Sequence, residues 1–390
     1  MRPNSSSRLA RALILSLAVL TLLPAAAGAQ VPRGRVLIGF ATMPGPGDAA
    51  VVRGLGGEVT VAYQHFAMLA AELPQPAVAR LQRNPRVRFV ERDQVRQAIS
   101  QTLPWGVEHI GAALAWSTTE GAGAEVAILD TGGGYDHPDL QYAGGVNFYG
   151  RNRDGSTAPS AWRDVNGHGT WTSGIAAAVN NDIGAVGVAP AASLFAVKVL
   201  GNSGSGWDSD IIQGIDWAIS TGRDVVSMSL GGPGYSTGLA EACELAWDAG
   251  IVLVAAAGNE GDGNPATQEI SYPAAYPNVI AVGATNQADD LASFSNTGSY
   301  VALSAPGVSI YSTYKKGRYA TFSGTSASCP HVSGVAALVI AANPELTNSQ
   351  VRWLLEQTAW DLGPEGWDPG FGYGLVDAAA AVAAAVAAGP

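Results

Sequence analysis

Cysteine and charge are what this 390-residue chain has least of. Two cysteines are too few to brace a disulfide-built fold, and no spacing among Cys, His and carboxylates reads as a zinc site. Charged residues make up only 14% and hydrophobic ones 47%, which excludes a disordered chain. Basic residues are the scarcer sign, 21 Lys and Arg against 32 Asp and Glu. The resulting net charge of −11 argues against nucleic acid as a partner. Long apolar runs are missing too: Leu13–Leu23 and Ala378–Ala388 both fall short of the roughly twenty residues that cross a bilayer. Glycine is plentiful, 49 residues, which implies many tight turns between short elements. The length suits one large or two ordinary domains, each with a sizeable core.

The amino terminus reads as a secretory signal. Arg2, Arg8 and Arg11 form a basic start, Leu13–Leu23 an apolar stretch, and Ala27-Gly28-Ala29 a small-residue cleavage site. Residues 1–29 are therefore expected to be removed and the chain to be secreted, into a compartment that permits disulfides. Charge then divides the remainder. Residues 30–99 carry nine arginines against five acids, whereas residues 100–390 carry nine basic residues against 27 acids. A basic segment ahead of a strongly acidic body predicts two units with complementary surfaces.

The basic segment has the pattern of a small α+β domain. Strands are predicted at Arg35–Ala41, Glu58–Tyr63, Met68–Leu73 and Val87–Glu91, with helices at Asp48–Leu55 and Pro76–Arg83. That β-α-β-β-α-β order is the ferredoxin-like split unit. In the body, apolar strands at Glu125–Asp130, Leu194–Val199, Val225–Leu230, Ile251–Ala257 and Val279–Ala284 alternate with helices. The helices follow His168 and span Ser209–Thr221, Leu239–Ala249 and Ser326–Ala342. The second is expected to be capped by Asp208 or Ser209, with Gly222 past its end. The alanine-rich tail Ala378–Ala388 reads as a closing surface helix. This is an α/β fold, a mostly parallel sheet with helices on both faces. Active groups in such sheets collect beyond the carboxyl ends of the strands.

Four motifs sit at those ends. Asp130-Thr131-Gly132 closes a strand, and a buried Asp there suits the orienting of an imidazole. Asp-Thr-Gly also occurs in pepsin-like proteases, but their paired carboxylates need a second such triplet, which this chain lacks. In Asn166-Gly167-His168-Gly169-Thr170, a turn places one of only five histidines at a helix start. Ala256-Ala257-Gly258-Asn259-Glu260 follows an apolar strand and offers an amide to a developing oxyanion. Ser323-Gly324-Thr325-Ser326-Ala327-Ser328-Cys329-Pro330-His331-Val332 starts a helix at the serine, whose amino end favours an oxyanion. Pro330 is expected within the first turn, where its missing N–H does no harm. The G-x-S-x-G elbow of α/β-hydrolases is not present, since Ser328 takes its last position.

Asp130, His168, Asn259 and Ser326, each in its own motif and in this order, resemble the subtilisin family of serine peptidases. The resemblance spans residues 101 to about 377, and residues 30–99 resemble the family's inhibitory propeptide. It implies a serine endopeptidase with Ser326 as nucleophile, His168 as base, Asp130 as its orienting partner and Asn259 in the oxyanion hole. Protein and peptide substrates would lie extended between Gly204-Ser205-Gly206 and Ser229-Leu230-Gly231. Leu230, Gly231, Ala256, Ala257 and Gly258 would wall the pocket before the scissile bond, favouring large apolar side chains within a broad specificity. Calcium is the implied structural cofactor, held by the side chains of Gln101, Asp139 and Asn181 and the carbonyls of Val179, Ile183 and Ala185. The propeptide would act as intramolecular inhibitor and folding aid, leaving by self-cleavage near Ile99-Ser100, with Val95–Ile99 as a product-like tail. A monomer is expected, without membrane or nucleic-acid partners. Trp171 departs from the family's usual His after Gly-Thr, the segment Arg151–Arg163 carries extra loop residues, and Cys243 and Cys329 read as buried free thiols. A non-catalytic peptide binder and an esterase remain the alternatives from the sequence.

Overall fold

A computed structural model of the chain describes residues 33–94, 101–150 and 155–389. The signal segment, the residues around the expected self-cleavage point and part of the Arg151–Arg163 insertion lie outside the described residues. The chain divides into two compact units, Met1–Gln97 and Ala98–Pro390.

In the first unit the order is β1 (Arg33–Phe40), α1 (Pro46–Gly54), β2 (Glu58–Ala62), β3 (Met68–Pro74), α2 (Gln75–Leu81) and β4 (Val87–Arg92). The strands form an antiparallel sheet in the order β2-β3-β1-β4. Alternation in β1 sends Val36, Ile38 and Phe40 to one face, where they meet Leu69, Leu73, Val52 and Leu81 in a single core. A split βαβ arrangement follows, because each helix closes the same apolar face.

The second unit begins with the short helices α3 (Trp105–His109) and α4 (Ala112–Ala115). It continues through β5 (Glu125–Asp130), β6 (Tyr142–Asn147), α5 (His168–Ala177), β7 (Ser193–Lys198), α6 (Asp208–Thr221), β8 (Val225–Met228), α7 (Thr237–Asp248), β9 (Val252–Ala256), β10 (Val279–Thr285) and β11 (Val301–Pro306). The hairpin β12 (Ile310–Tyr314) and β13 (Arg318–Phe322) precedes α8 (Thr325–Ala342), α9 (Asn348–Gln357) and α10 (Ala378–Ala387). Seven parallel strands form one sheet in the order β11-β10-β9-β8-β5-β7-β6. β8 to β11 are buried along their whole length, as a sheet covered on both faces requires. One core joins the sheet to α8, α9 and α10, and the other to α6 and α7. Each fully buried Val, Leu or Ile in them contributes about 1.5–3 kcal/mol.

Three local expectations need correction. The cap of α6 is Trp207, which accepts no side-chain cap bond, because Asp208 and Ser209 are already helical; Gly222 does end the helix. Pro330 is the sixth residue of α8, not in its first turn, because the helix starts at Thr325. The alanine-rich tail is more than a surface element, since Ala378, Ala381, Val382 and Ala385 are buried against the core. Among the described residues α8 alone is long and apolar enough to cross a membrane, but 78% of it is buried inside the protein.

Candidate active site

The carboxyl ends of β5, β8 and β9 bring the sequence motifs to one side of the sheet. Asp130 is the last residue of β5 and is fully buried. Its carboxylate accepts from the Thr131 N–H at 2.6 Å and from the Thr172 hydroxyl at 3.2 Å. Both of its oxygens lie 2.8 Å from His168 Nδ1, which therefore carries the proton and leaves Nε2 as the acceptor. Gly167, at φ +108°, makes the turn into α5; a Cβ there would stand 2.3 Å from the Tyr314 ring. Burial opposes a charge on His168, but the Asp130 carboxylate, its hydrogen bond and Asp164 outweigh that, so the imidazole pKa is raised.

The motif reading missed how Asp164 supports the histidine and that Lys198 ends β7 in register with Asp130. The Asp164 carboxylate accepts from Gly167 N–H (2.8 Å), Thr170 N–H (2.8 Å), the Thr170 hydroxyl (2.6 Å) and the Thr131 hydroxyl (2.9 Å). It ties the start of α5 to the end of β5, and so fixes His168 against Asp130. An Asp three residues before a Gly-His turn is the sequence signal for that clamp. Trp171 fills the space behind the histidine: its indole N–H donates to the Ile310 carbonyl (3.2 Å) and its ring packs on Phe322 and Ile175.

Ser326 is the second residue of α8, and its hydroxyl donates to the Ser229 carbonyl at 3.4 Å. The Ser326 carbonyl is special because Pro330, four residues on, has no N–H to give it. The Ser229 hydroxyl takes that place, donating at 2.9 Å. Asn259 follows β9 through Gly258, which turns the chain at φ +115°. Its Oδ1 accepts from the Thr325 N–H (2.8 Å) and hydroxyl (3.0 Å), so the amide is oriented with Nδ2 as the available donor. Thr325 is the supporting residue that its position inside a Gly-Thr-Ser triplet concealed.

A cleft of about 700 Å³ runs past these groups, lined by His168, Ser326, Gly204, Ser205, Gly206, Ser229, Leu230 and Gly231 among others. A smaller pocket of about 70 Å³ adjoins it, with Leu230, Gly231, Ala256, Gly258, Asn259 and Ser326 in its wall. Ala257 is the exception among the expected wall residues. It is fully buried, because strand alternation turns it away from its neighbours, and its carbonyl accepts from the Tyr300 hydroxyl at 2.8 Å. Glu260 also lines this pocket, where its carboxylate accepts from the Asn259 N–H (3.0 Å) and Asn296 Nδ2 (3.2 Å).

Away from the cleft, the oxygen-rich loop gathers as a unit. The carbonyls of Val179 and Ala185 both accept from Gln101 Nε2, at 2.7 and 3.3 Å, so they converge on one positively polarised point. Asp139 accepts from Asn181 Nδ2 and from the Ala185 N–H, each at 2.8 Å, and Asn181 Oδ1 from the Ile183 N–H at 2.8 Å. One carboxylate among neutral oxygens is a donor set for a hard cation. Among the described residues no group of three or more His, Cys, Asp or Glu is placed to hold a metal. Cys243 and Cys329 are free and buried, and burial pushes the Cys243 thiol up to about 12.

A family model described as the Subtilase family matches residues 121–374. The chain is 42% identical to subtilisin E of Bacillus subtilis over 374 residues, 95% of this chain and 96% of that protein. It is 44% identical to the thermostable alkaline protease of Halalkalibacterium halodurans over 317 residues, 81% of this chain and 83% of that one. It is also 44% identical to the M-protease of Shouchella clausii over 320 residues, covering 82% and 80% of the two chains.

Proposed function

The chain belongs to the subtilase family and is a serine endopeptidase, and we propose that Asp130, His168, Ser326 and Asn259 carry out its chemistry in an exported, self-processing zymogen. The observation that carries this reading is the bond from His168 Nδ1 to both Asp130 oxygens at 2.8 Å, beside a cleft that His168 and Ser326 line together. With Nδ1 protonated, Nε2 is the base that takes the Ser326 hydroxyl proton as Oγ attacks a peptide carbonyl. The carbonyl π electrons move to oxygen, and Asn259 Nδ2 with the Ser326 N–H stabilises the oxyanion. The imidazolium then gives its proton to the leaving amine as the C–N bond breaks, and an acyl-enzyme remains. Water, activated by the same imidazole, hydrolyses that ester and restores the serine.

Substrate binds extended between Gly204–Gly206 and Ser229–Gly231, where exposed backbone offers strand-like hydrogen bonds. The small apolar walls at Leu230, Ala256 and Gly258 favour a large apolar side chain before the scissile bond, in a pocket that opens into the main cleft. Gln101, Asp139, Asn181 and the carbonyls of Val179, Ile183 and Ala185 would hold calcium, which supplies loop stability and no step of the reaction. The first unit, basic in sequence against an acidic body, would inhibit the enzyme until cleavage near Ile99-Ser100. A serine-directed organophosphate should label Ser326 and abolish peptide hydrolysis. Ser326→Ala should accumulate as a secreted, unprocessed chain beginning near Gln30. Labelling elsewhere, or normal processing of that variant, would overturn the reading.

A further inference from the structure

The sequence contains three lysines, Lys198, Lys315 and Lys316, and only Lys198 is buried, at 7% exposure. It ends β7 as the register partner of Asp130 at the end of β5. Its ammonium donates to the Thr131 carbonyl and, at 3.0 Å, to the Leu200 carbonyl, so backbone oxygens just past the ends of β5 and β7 hold it in place. Two buried carboxylates act on it, Asp164 and Asp130, although burial still lowers its pKa. A buried cation costs several kcal/mol to desolvate, and hydrophobic neighbours alone would not retain one.

We propose that Lys198 sets the basicity of His168: its charge offsets the Asp130–Asp164 pair, so the imidazolium is not over-stabilised at the pH where the enzyme works. This rests on His168 being the general base. The groups acting there can be counted. β5 presents Asp130, and the segment before α5 presents Asp164. β6 presents the Tyr142 phenol, kept neutral because burial pushes its pKa up. The β12–β13 turn presents Lys315, which donates to the Asn166 carbonyl at 2.7 Å. α8 contributes the uncharged Ser326. Without Lys198 the imidazolium faces two carboxylates with no buried cation to balance them. Its pKa therefore rises, and the acidic limb of kcat/KM moves to higher pH.

The test compares Lys198→Met, which keeps the stem and removes the charge, with Lys198→Arg, which keeps the charge. The kcat/KM profile on a peptide substrate should show its acidic limb raised by about one pH unit in the first. The second should stay within a few tenths of the native enzyme. A folded Lys198→Met enzyme whose limb is unmoved or lowered overturns the proposal, and so does an equal shift in Lys198→Arg. If Lys198→Met does not fold, NMR of the full Ser326→Ala chain carrying 13Cε-lysine decides. The Lys198 resonance should then titrate with the midpoint of His168, and a resonance indifferent to that midpoint overturns the proposal. That measurement needs no turnover, so absence of peptide hydrolysis in the native chain would defeat the protease reading alone.

Discussion

Pro330 lies inside the helix that carries Ser326, the proposed nucleophile, and Ser229 compensates for it. In α8 the carbonyl of Ser326 should accept from the N–H four residues later, but proline has none. The Ser229 hydroxyl, on a residue 5% exposed, donates to that carbonyl at 2.9 Å instead. Ser229→Ala should leave the carbonyl unsatisfied in a mostly dry setting, destabilising the second unit by about 1–3 kcal/mol. The same change in a Pro330→Ala background should cost less than about 0.5 kcal/mol, because the restored backbone N–H can serve the carbonyl. A double-mutant cycle isolates that difference, since the two residues share one acceptor. Urea unfolding followed by tryptophan fluorescence suits the measurement, because all ten tryptophans lie beyond residue 100. Working in a Ser326→Ala background prevents autolysis and leaves the carbonyl in question intact. Equal costs for Ser229→Ala in both backgrounds would refute the argument and reduce Ser229 to a packing residue.

Asn259→Ala should lower kcat about 10²–10³-fold with KM little changed, a range taken from subtilisins generally rather than from this geometry. It should also destabilise the chain by about 1–2 kcal/mol, since Thr325 loses the acceptor of two hydrogen bonds; steady-state kinetics and urea unfolding check the two effects separately. Calcium at about 100 times its dissociation constant should stabilise the processed enzyme by about 2.7 kcal/mol, and a chelator should remove that increment. Asp139→Asn should abolish the calcium response of the melting temperature while leaving kcat on a small peptide unchanged. A response that survives the substitution would move the ion elsewhere. His168 has a raised pKa, so activity should be complete above that value and lost as pH falls through it, with the midpoint above the ordinary 6.5.

Much of the architecture is legible without coordinates because the parallel sheet leaves a strong local trace. β5, β8, β9 and β10 are short apolar runs with a helix or a turn after each, and both faces of the sheet are buried, so the pattern has no ambiguity of side. Weaker traces hid other elements. β6 begins Tyr142-Ala143-Gly144-Gly145, whose two glycines leave no apolar strand pattern; the Trp162 ring, 2.5 Å from where a Gly145 Cβ would stand, is what requires glycine there. The hairpin of β12 and β13 carries Ser, Thr, Lys and Arg and has no apolar run; it pairs because Ile310, Ser312 and Thr313 are buried under it.

The sequence by itself singled out the residues proposed to carry chemistry. Asp130, His168, Asn259 and Ser326 each lie in a motif where local backbone, a strand end, a glycine turn or a helix start, restricts the choice of side chain. Tertiary structure alone decided what holds them there. Asp164 clamps α5 to β5 across 33 residues of sequence, Ser229 replaces the hydrogen bond that Pro330 cannot make, and Thr325 fixes the amide of Asn259. Lys198 is brought beside Asp130 only by the pairing of β5 with β7. These supports are single polar atoms satisfying one another over long separations. No composition or periodicity encodes them, since a lone lysine or threonine has the same local appearance whether it faces solvent or a buried carboxylate.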